Sequence, residues 1–307
     1  MKTNTFLFAL VASATISLVS CSKKADTPPA PLAITKADFN TNYKVGGTPF
    51  TFFEVDNSAV TVPVAGENQT WDFSALAETA TSNNGGTTYI APSNAVFPTA
   101  TYSFVATGGF SVSGISSPTV ATTIYNELSD NGIFALGYSQ NTATSIVVPS
   151  LGATINYAVQ NLNYTGTTRY PNVLFPAKFG NSAITTSGIV STSSFTVTAA
   201  ALGLNNTPGQ TKVTTSVVQE VLGSGMATLK GIGKVRVLIL KNGYSNQTNY
   251  FLGGAPAPAA LLTNLGVTDG ATTTGTTYRV VGENLGTVGF IETNAAGTVT
   301  SASFRKQ

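Results

Sequence analysis

The side chains able to do chemistry in this chain are few. Its 307 residues contain no histidine, one cysteine, and 13 Asp and Glu against 15 Lys and Arg. Without histidine, Ser-His-Asp and Cys-His catalysis and every histidine-ligated zinc or iron site are excluded. A single thiol forms neither an internal disulfide nor a thiolate metal cluster. No glycine-rich loop opens a helix in a phosphate-binding pattern. Carboxylates remain. Glu54 and Asp56 stand two apart, a spacing that puts both on one face of a strand. Glu67 and Asp72 flank the turn expected within residues 64–76. Two carboxyl groups held ~5–10 Å apart hydrolyse glycosidic bonds, and with a tyrosine as base a lyase reaction is the related option. The same acids with backbone oxygens suit Ca²⁺. Because the acids are scattered, solvated surface charges are the stronger expectation. No catalytic residue, metal site or cofactor is therefore assigned.

The cysteine occupies a more informative position. Lys2 precedes an apolar run over residues 6–18, which closes on Leu18-Val19-Ser20-Cys21. The run is shorter than the ~20 residues needed to span a bilayer, so it reads as an export signal. Leu-Val-Ser-Cys resembles a bacterial lipobox. That resemblance implies cleavage before Cys21 and acylation of its thiol with a diacylglyceryl group, palmitate being the typical chain. Stable anchoring takes more than one acyl chain, a condition such a cysteine meets. Residues 21–33, with Lys23, Lys24, Pro28, Pro29 and Pro31, read as a flexible tether. The expected location is the cell envelope, most simply the outer membrane.

The elements that must position any site follow from residues 34–307. Charged residues make up 9% of the chain and its formal net charge is +2, with no basic stripe to suggest nucleic acid. Thr, Val, Tyr and Phe recur with period two between Gly, Asn and Pro turns. Residues 100–105, 194–198, 278–281, 289–293 and 298–304 read as strands, the last two joined by a hairpin at 294–297. Residues 234–241 (KVRVLILK) begin as an alternating strand and become continuously apolar, which predicts burial on both faces. Short helical turns are expected at 199–204 and at 258–265, the second bounded by Pro258 and Gly266. The fold class is all-β: a large antiparallel β-sandwich or partly closed barrel with one or two short helices, with a possible split near 199–209.

One segment carries a family resemblance. Ala65, Gly66, Asn68, Gln69, Thr70, Trp71, Asp72, Phe73, Ser74 and Leu76 match A-G-x-N-Q-T-W-[DN]-[FY]-S-x-L. This resembles a segment recurrent in uncharacterised secreted proteins and lipoproteins of the Bacteroidota. Residues 34–39 look like the mature start of such proteins, and residues 225–229 with 234–238 are similar to a further region, with Ala227 in place of a glycine. The resemblance implies an envelope location and a β-rich fold, and no reaction. Trp71, the single tryptophan, is expected as a core anchor, with a sugar-stacking platform as its functional alternative. Together these readings predict a membrane-anchored envelope lipoprotein. Its most natural role is a non-catalytic binding module for a glycan or partner protein, with a carboxylate-dependent polysaccharide hydrolase or lyase and a structural or assembly lipoprotein as alternatives.

Overall fold

A computed structural model describes residues 30–47, 50–79, 88–108, 111–112, 115–116, 120–140, 143–158, 160–164 and 169–306. Cys21 and the export segment lie outside the described residues. In chain order the strands begin with β1 (Ala33–Ile34), β2 (Thr51–Glu54), β3 (Gly66–Asp72), β4 (Tyr102–Gly108), β5 (Ser111–Val112) and β6 (Ile115–Ser116). Next come β7 (Val120–Ser129), β8 (Gly132–Gln140), β9 (Thr144–Val148), β10 (Ala153–Tyr157), β11 (Gln160–Asn163), β12 (Tyr170–Leu174) and β13 (Ala177–Lys178). The series ends with β14 (Ile184–Ala199), β15 (Leu204–Leu229), β16 (Gly233–Leu252), β17 (Ala255–Pro256), β18 (Ala271–Gly282), β19 (Gly286–Asn294) and β20 (Val299–Lys306). Two short helices, α1 (Ala37–Asn40) and α2 (Ala259–Asn264), complete the set.

These strands form an eleven-stranded sheet in the order β2-β20-β19-β18-β16-β15-β14-β10-β9, with β17 against β16 and β3 against β15. A five-stranded sheet, β11-β8-β7-β4 with β12 against β8, stacks on it. The arrangement is an open, mainly antiparallel sandwich and does not close into a barrel. Residues 199–209 hold the turn between β14 and β15, which pair directly across it.

The apolar run in β16 explains the layering. Val237, Leu238, Ile239 and Leu240 are all fully buried. Successive side chains on a strand point to opposite faces. Val237 and Ile239 therefore join one core with Trp71, Phe73, Phe53 and Phe304. Leu238 and Leu240 join another with Tyr102, Ile133 and Val173 of the smaller sheet, and with Ile34 and Phe39. In β18, Val280 and Val281 divide the same way. A third cluster, including Ile146, Ile155 and Val197, lies toward β9, β10 and β14.

β15 runs for 26 residues. Along one edge it pairs with β16 from Gly209 to Leu229; along the other it pairs with β14 as far as Gln219 and with β3 from Gly223 to Thr228. The β3 pairing is parallel, and it joins the Trp71 segment to the glycine-containing stretch 223–228. A Cβ at Gly225 would sit 1.9 Å from the Gln69 carbonyl oxygen, so only glycine permits this approach. Gly66 and Asn68, expected in a turn ahead of the strand, lie inside β3 with φ of 141° and 56°. A register shift accompanies them, because a bulge uses the same positive φ that a turn does.

Both expected helical turns form. Residues Ala200–Leu202 make a 3₁₀ turn, and α2 starts after Pro258 and stops before Gly266 at φ 64°. At the 294–297 hairpin, Asn294 Oδ1 accepts from the backbone N–H groups of Ala296 and Thr298, and Gly297 has φ 80°. α1 escaped the sequence reading, since four residues are too short to show an apolar period.

Gly225→Ala is expected to cost about 1–3 kcal/mol as a forced overpacking, read as a lowered urea midpoint. Gly243→Ala, whose Cβ would meet only the Val218 carbonyl oxygen at 4.0 Å, is the control and should move the midpoint little.

Candidate functional site

Along β18 the alternation that sends Tyr278 and Val280 toward one core sends Arg279 to the other side, into the space between the two sheets. There the Arg279 guanidinium lies over the Phe290 ring, 4.6 Å from its centroid. Nη2 donates to Asn172 Oδ1 at 3.2 Å, and Nη1 makes a long contact of 3.5 Å to Thr287 Oγ1. Nε is buried and has no acceptor. The ion pairs among the described residues use Lys36, Arg169, Arg236, Lys241 and Lys306, not Arg279. Burial pushes the guanidinium below its ordinary pKa, opposed by the hydroxyls of Tyr43, Tyr102, Tyr170 and Tyr89. It remains a cation at neutral pH, since arginine starts so high.

Arg279 lines a cavity of about 310 Å³ between the sheets, whose walls include Tyr43, Tyr89, Tyr102, Phe50 and Phe52. The tyrosines pack on one another. Tyr43 stacks on Tyr89 at 4.9 Å between centroids, and Tyr102 meets Tyr89 edge-on at 4.8 Å. Burial pushes the Tyr89 and Tyr102 hydroxyls far above the usual phenol range. Both stay protonated at neutral pH and act as neutral hydrogen-bonding groups, the opposite of what a catalytic tyrosine base requires.

Beside the cavity runs a buried amide network that ties the sheets together. The pairing of β12 with β8 slips between Pro171 and Val173, leaving Asn172 as the extra residue of a bulge. Its carbonyl, freed from the ladder, accepts from Gln219 Nε2 at 3.1 Å and Asn242 Nδ2 at 3.2 Å. Gln219 Nε2 also donates to Asn242 Oδ1 at 2.9 Å, and Gln219 Oε1 accepts from the Leu174 N–H at 2.7 Å. The Asn172 side chain accepts from Arg279 and donates to Asn126 Oδ1 at 3.3 Å. Asn126, which also lines the cavity, is only 3% exposed, and its Nδ2 has no acceptor. The cavity thus combines aromatic walls with two groups, Arg279 and Asn126, that have donors left over.

The acids singled out in the sequence lie elsewhere. Glu54 and Asp56 line one open polar groove of about 410 Å³ together with Thr79 and Thr300. They do not share a strand face, because β2 ends at Glu54 and Asp56 caps a 3₁₀ turn, Asn57–Ala59. Asp56 Oδ1 accepts from Ser58 Oγ at 2.7 Å and Ser58 N at 2.9 Å, and these bonds lower its pKa. Asp72 is held the same way by Ser74 Oγ and N, and is lowered too. A glycosidase acid needs its pKa raised, so both shifts run in the wrong direction. Glu67 and Asp72 are exposed positions of β3 five residues apart, roughly 16 Å at ~3.3 Å per residue. That separation is too wide for a catalytic pair. Among the described residues no three acidic, His or Cys side chains gather as a metal site.

Trp71 is 9% exposed and packs in the core, with Gly223 against its ring. It is the core anchor, and it offers no face for a sugar to stack on. Sequence reasoning missed Arg279, Asn126 and Asn172. The available signal was one arginine beside the valines of Tyr278-Arg-Val-Val281, on a segment already read as a strand.

Two outcomes follow. Gln219→Met orphans the Leu174 N–H and Asn242 Oδ1 and leaves the Asn172 carbonyl with Asn242 Nδ2 alone, at about 1–3 kcal/mol per orphaned buried group; exposed Gln210→Met should stay within about 0.5 kcal/mol, both read by urea unfolding. A carboxylate lowered on folding contributes stability above its unfolded pKa, near 4, and loses it as pH falls through the folded value. Asp56→Asn with Asp72→Asn should therefore flatten the stability–pH curve below about pH 4, measured by unfolding at stepped pH. Comparison with known proteins brings no match: no family model fits the sequence, and neither a curated protein nor a solved structure is similar to it.

Proposed function

We propose that this chain is a lipid-anchored envelope protein whose β-sandwich is a non-catalytic binding module, with the cavity at Arg279 as its ligand seat. The observation that carries the reading is the cavity itself: about 310 Å³, walled by aromatic rings and supplied with amide and guanidinium donors. Ligand pockets run from about 300 to 1,000 Å³, so this one suits a ligand the size of a single sugar residue. Of the expected glycan and partner-protein ligands, its size favours a glycan end or a small molecule over a protein face. Aromatic faces beside amide groups are also the surroundings in which sugar rings bind. The hydrolase or lyase alternative loses support from the lowered Asp56 and Asp72 and the protonated tyrosines. A purely structural role would leave the surplus donors without a use.

The anchor rests on the lipobox-like close at Cys21, and the resemblance to Bacteroidota envelope proteins points the same way. Mass spectrometry of the mature N-terminus is expected to find an acylated cysteine, and Cys21→Ala to move the protein from the membrane fraction to the soluble one. An unmodified terminus would remove the anchor from the reading. For the seat, Ala135, which lines the cavity, is replaced by Phe to fill it. Ligands found by a monosaccharide and oligosaccharide screen should lose binding at least tenfold in Ala135→Phe. Unchanged binding would place the site elsewhere, and a screen with no hits would count against the module.

A further inference from the structure

We infer that the occupant of this cavity is a small ring-bearing carboxylate, about the size of one uronic acid, and that Arg279 is the group that binds its anionic end. The inference rests on the proposed ligand seat and goes beyond it by naming the charge of the ligand. Its physical basis is an imbalance. Moving a guanidinium out of water is costly unless an anion accompanies it, and Arg279 pairs with no carboxylate among the described residues. Its partners are neutral: Phe290, Asn172 and Thr287.

Arginine has five N–H donors in a planar fork. The contacts to Asn172 and Thr287 occupy one N–H on each terminal nitrogen. A second N–H remains on each and Nε has no acceptor, so the guanidinium keeps donors for an incoming carboxylate. Asn126 supplies an independent observation. It is 3% exposed, lines the same cavity, and leaves Nδ2 unpartnered. Both unsatisfied groups are donors, so the complement is rich in acceptors and negative.

The charge count selects the anion. Arg279 is the only cationic side chain lining the cavity among the described residues, which matches one negative charge better than a phosphate dianion. Arg305 lies outside, over Phe50, and is already bonded to the Leu285 carbonyl and Asn42. The aromatic walls require the rest of the ligand to be a ring or an apolar body. Arg279 thus has the signature of a residue kept for binding: uncompensated in the fold, compensated by what enters.

The test is calorimetric titration of the full chain, in detergent at low salt, with D-glucuronate, D-galacturonate, benzoate, inorganic phosphate, and the neutral sugars D-glucose and D-galactose. The ring acids are expected to bind at least tenfold more tightly than the neutral sugars. The preference should vanish in Arg279→Met and survive in part in Arg279→Lys. Ligand-free Arg279→Met should melt close to the parent chain, because removing an uncompensated charge offsets the lost contacts to Asn172 and Thr287, whereas an arginine kept for structure would leave a strongly destabilised variant. If Arg279→Met fails to fold, Arg279→Lys and the salt dependence of the parent chain still report the charge contact. Tighter uronates than benzoate would identify a sugar acid, and the reverse an aromatic acid. Acid and neutral rings binding equally, or phosphate binding best, would overturn the carboxylate and leave the ligand seat standing. No binding by any ring would overturn both.

Discussion

The molecule is organised by strands that are buried on both faces. Where β16 runs through Val237–Leu240 and β18 through Val280–Val281, every side chain is enclosed whichever way it points. Such a stretch cannot have one face open to water. It demands cover on each side, and the chain supplies it with different material. The five-stranded sheet and the α1 region cover one face; β3 and the Trp71–Phe73 segment cover the other. Fully burying one large apolar side chain is worth about 1.5–3 kcal/mol, so these few residues contribute heavily to holding the packed elements together.

The same constraint makes the polar residues of these strands costly. A group that alternation directs inward is largely shielded from solvent and depends on partners in the protein. Gln219, Asn242 and Asn172 do this by meeting at the bulge of β12, where a displaced carbonyl becomes a shared acceptor. The bulge is thus the joint through which the smaller sheet is hydrogen-bonded to the larger one. Arg279 and Asn126 are attached to that joint but not completed by it. In the proposed reading this arrangement is a preorganised pocket: the donors are held by the hydrogen-bond network before a ligand binds, which would keep the ordering cost of binding small.

Legibility differed sharply between the strands and the site. KVRVLILK announced its two-sided burial, and Pro258 with Gly266 bounded α2 as expected, because both signals are local. The bulge at Gly66 and Asn68 looked like a turn because a turn and a bulge call for the same backbone angle. Asp56 looked like a strand partner of Glu54, but its carboxylate found a Ser58 hydroxyl two residues on and ended the strand. The four carboxylates drew attention because acids have obvious chemistry, while the asparagines that build the cavity look like ordinary loop and strand residues in a chain rich in them. Distance along the chain hid the rest: Arg279 and Asn172 are separated by 107 positions.

By itself, the sequence determined the class of the fold, the two-faced strand at its centre and the chemistries that lack of histidine excludes, because composition and period-two patterning act through local backbone preference and burial. It also supplied the whole case for Cys21, which depends on the order of residues and not on a folded neighbour. Only the tertiary structure decided that Trp71 belongs to a core, that the stretch 223–228 accepts β3 as a parallel neighbour, and that a lone arginine faces a cavity. Those are properties of pairing register. Which residue stands opposite which is settled by strands distant in sequence, and no local pattern encodes it.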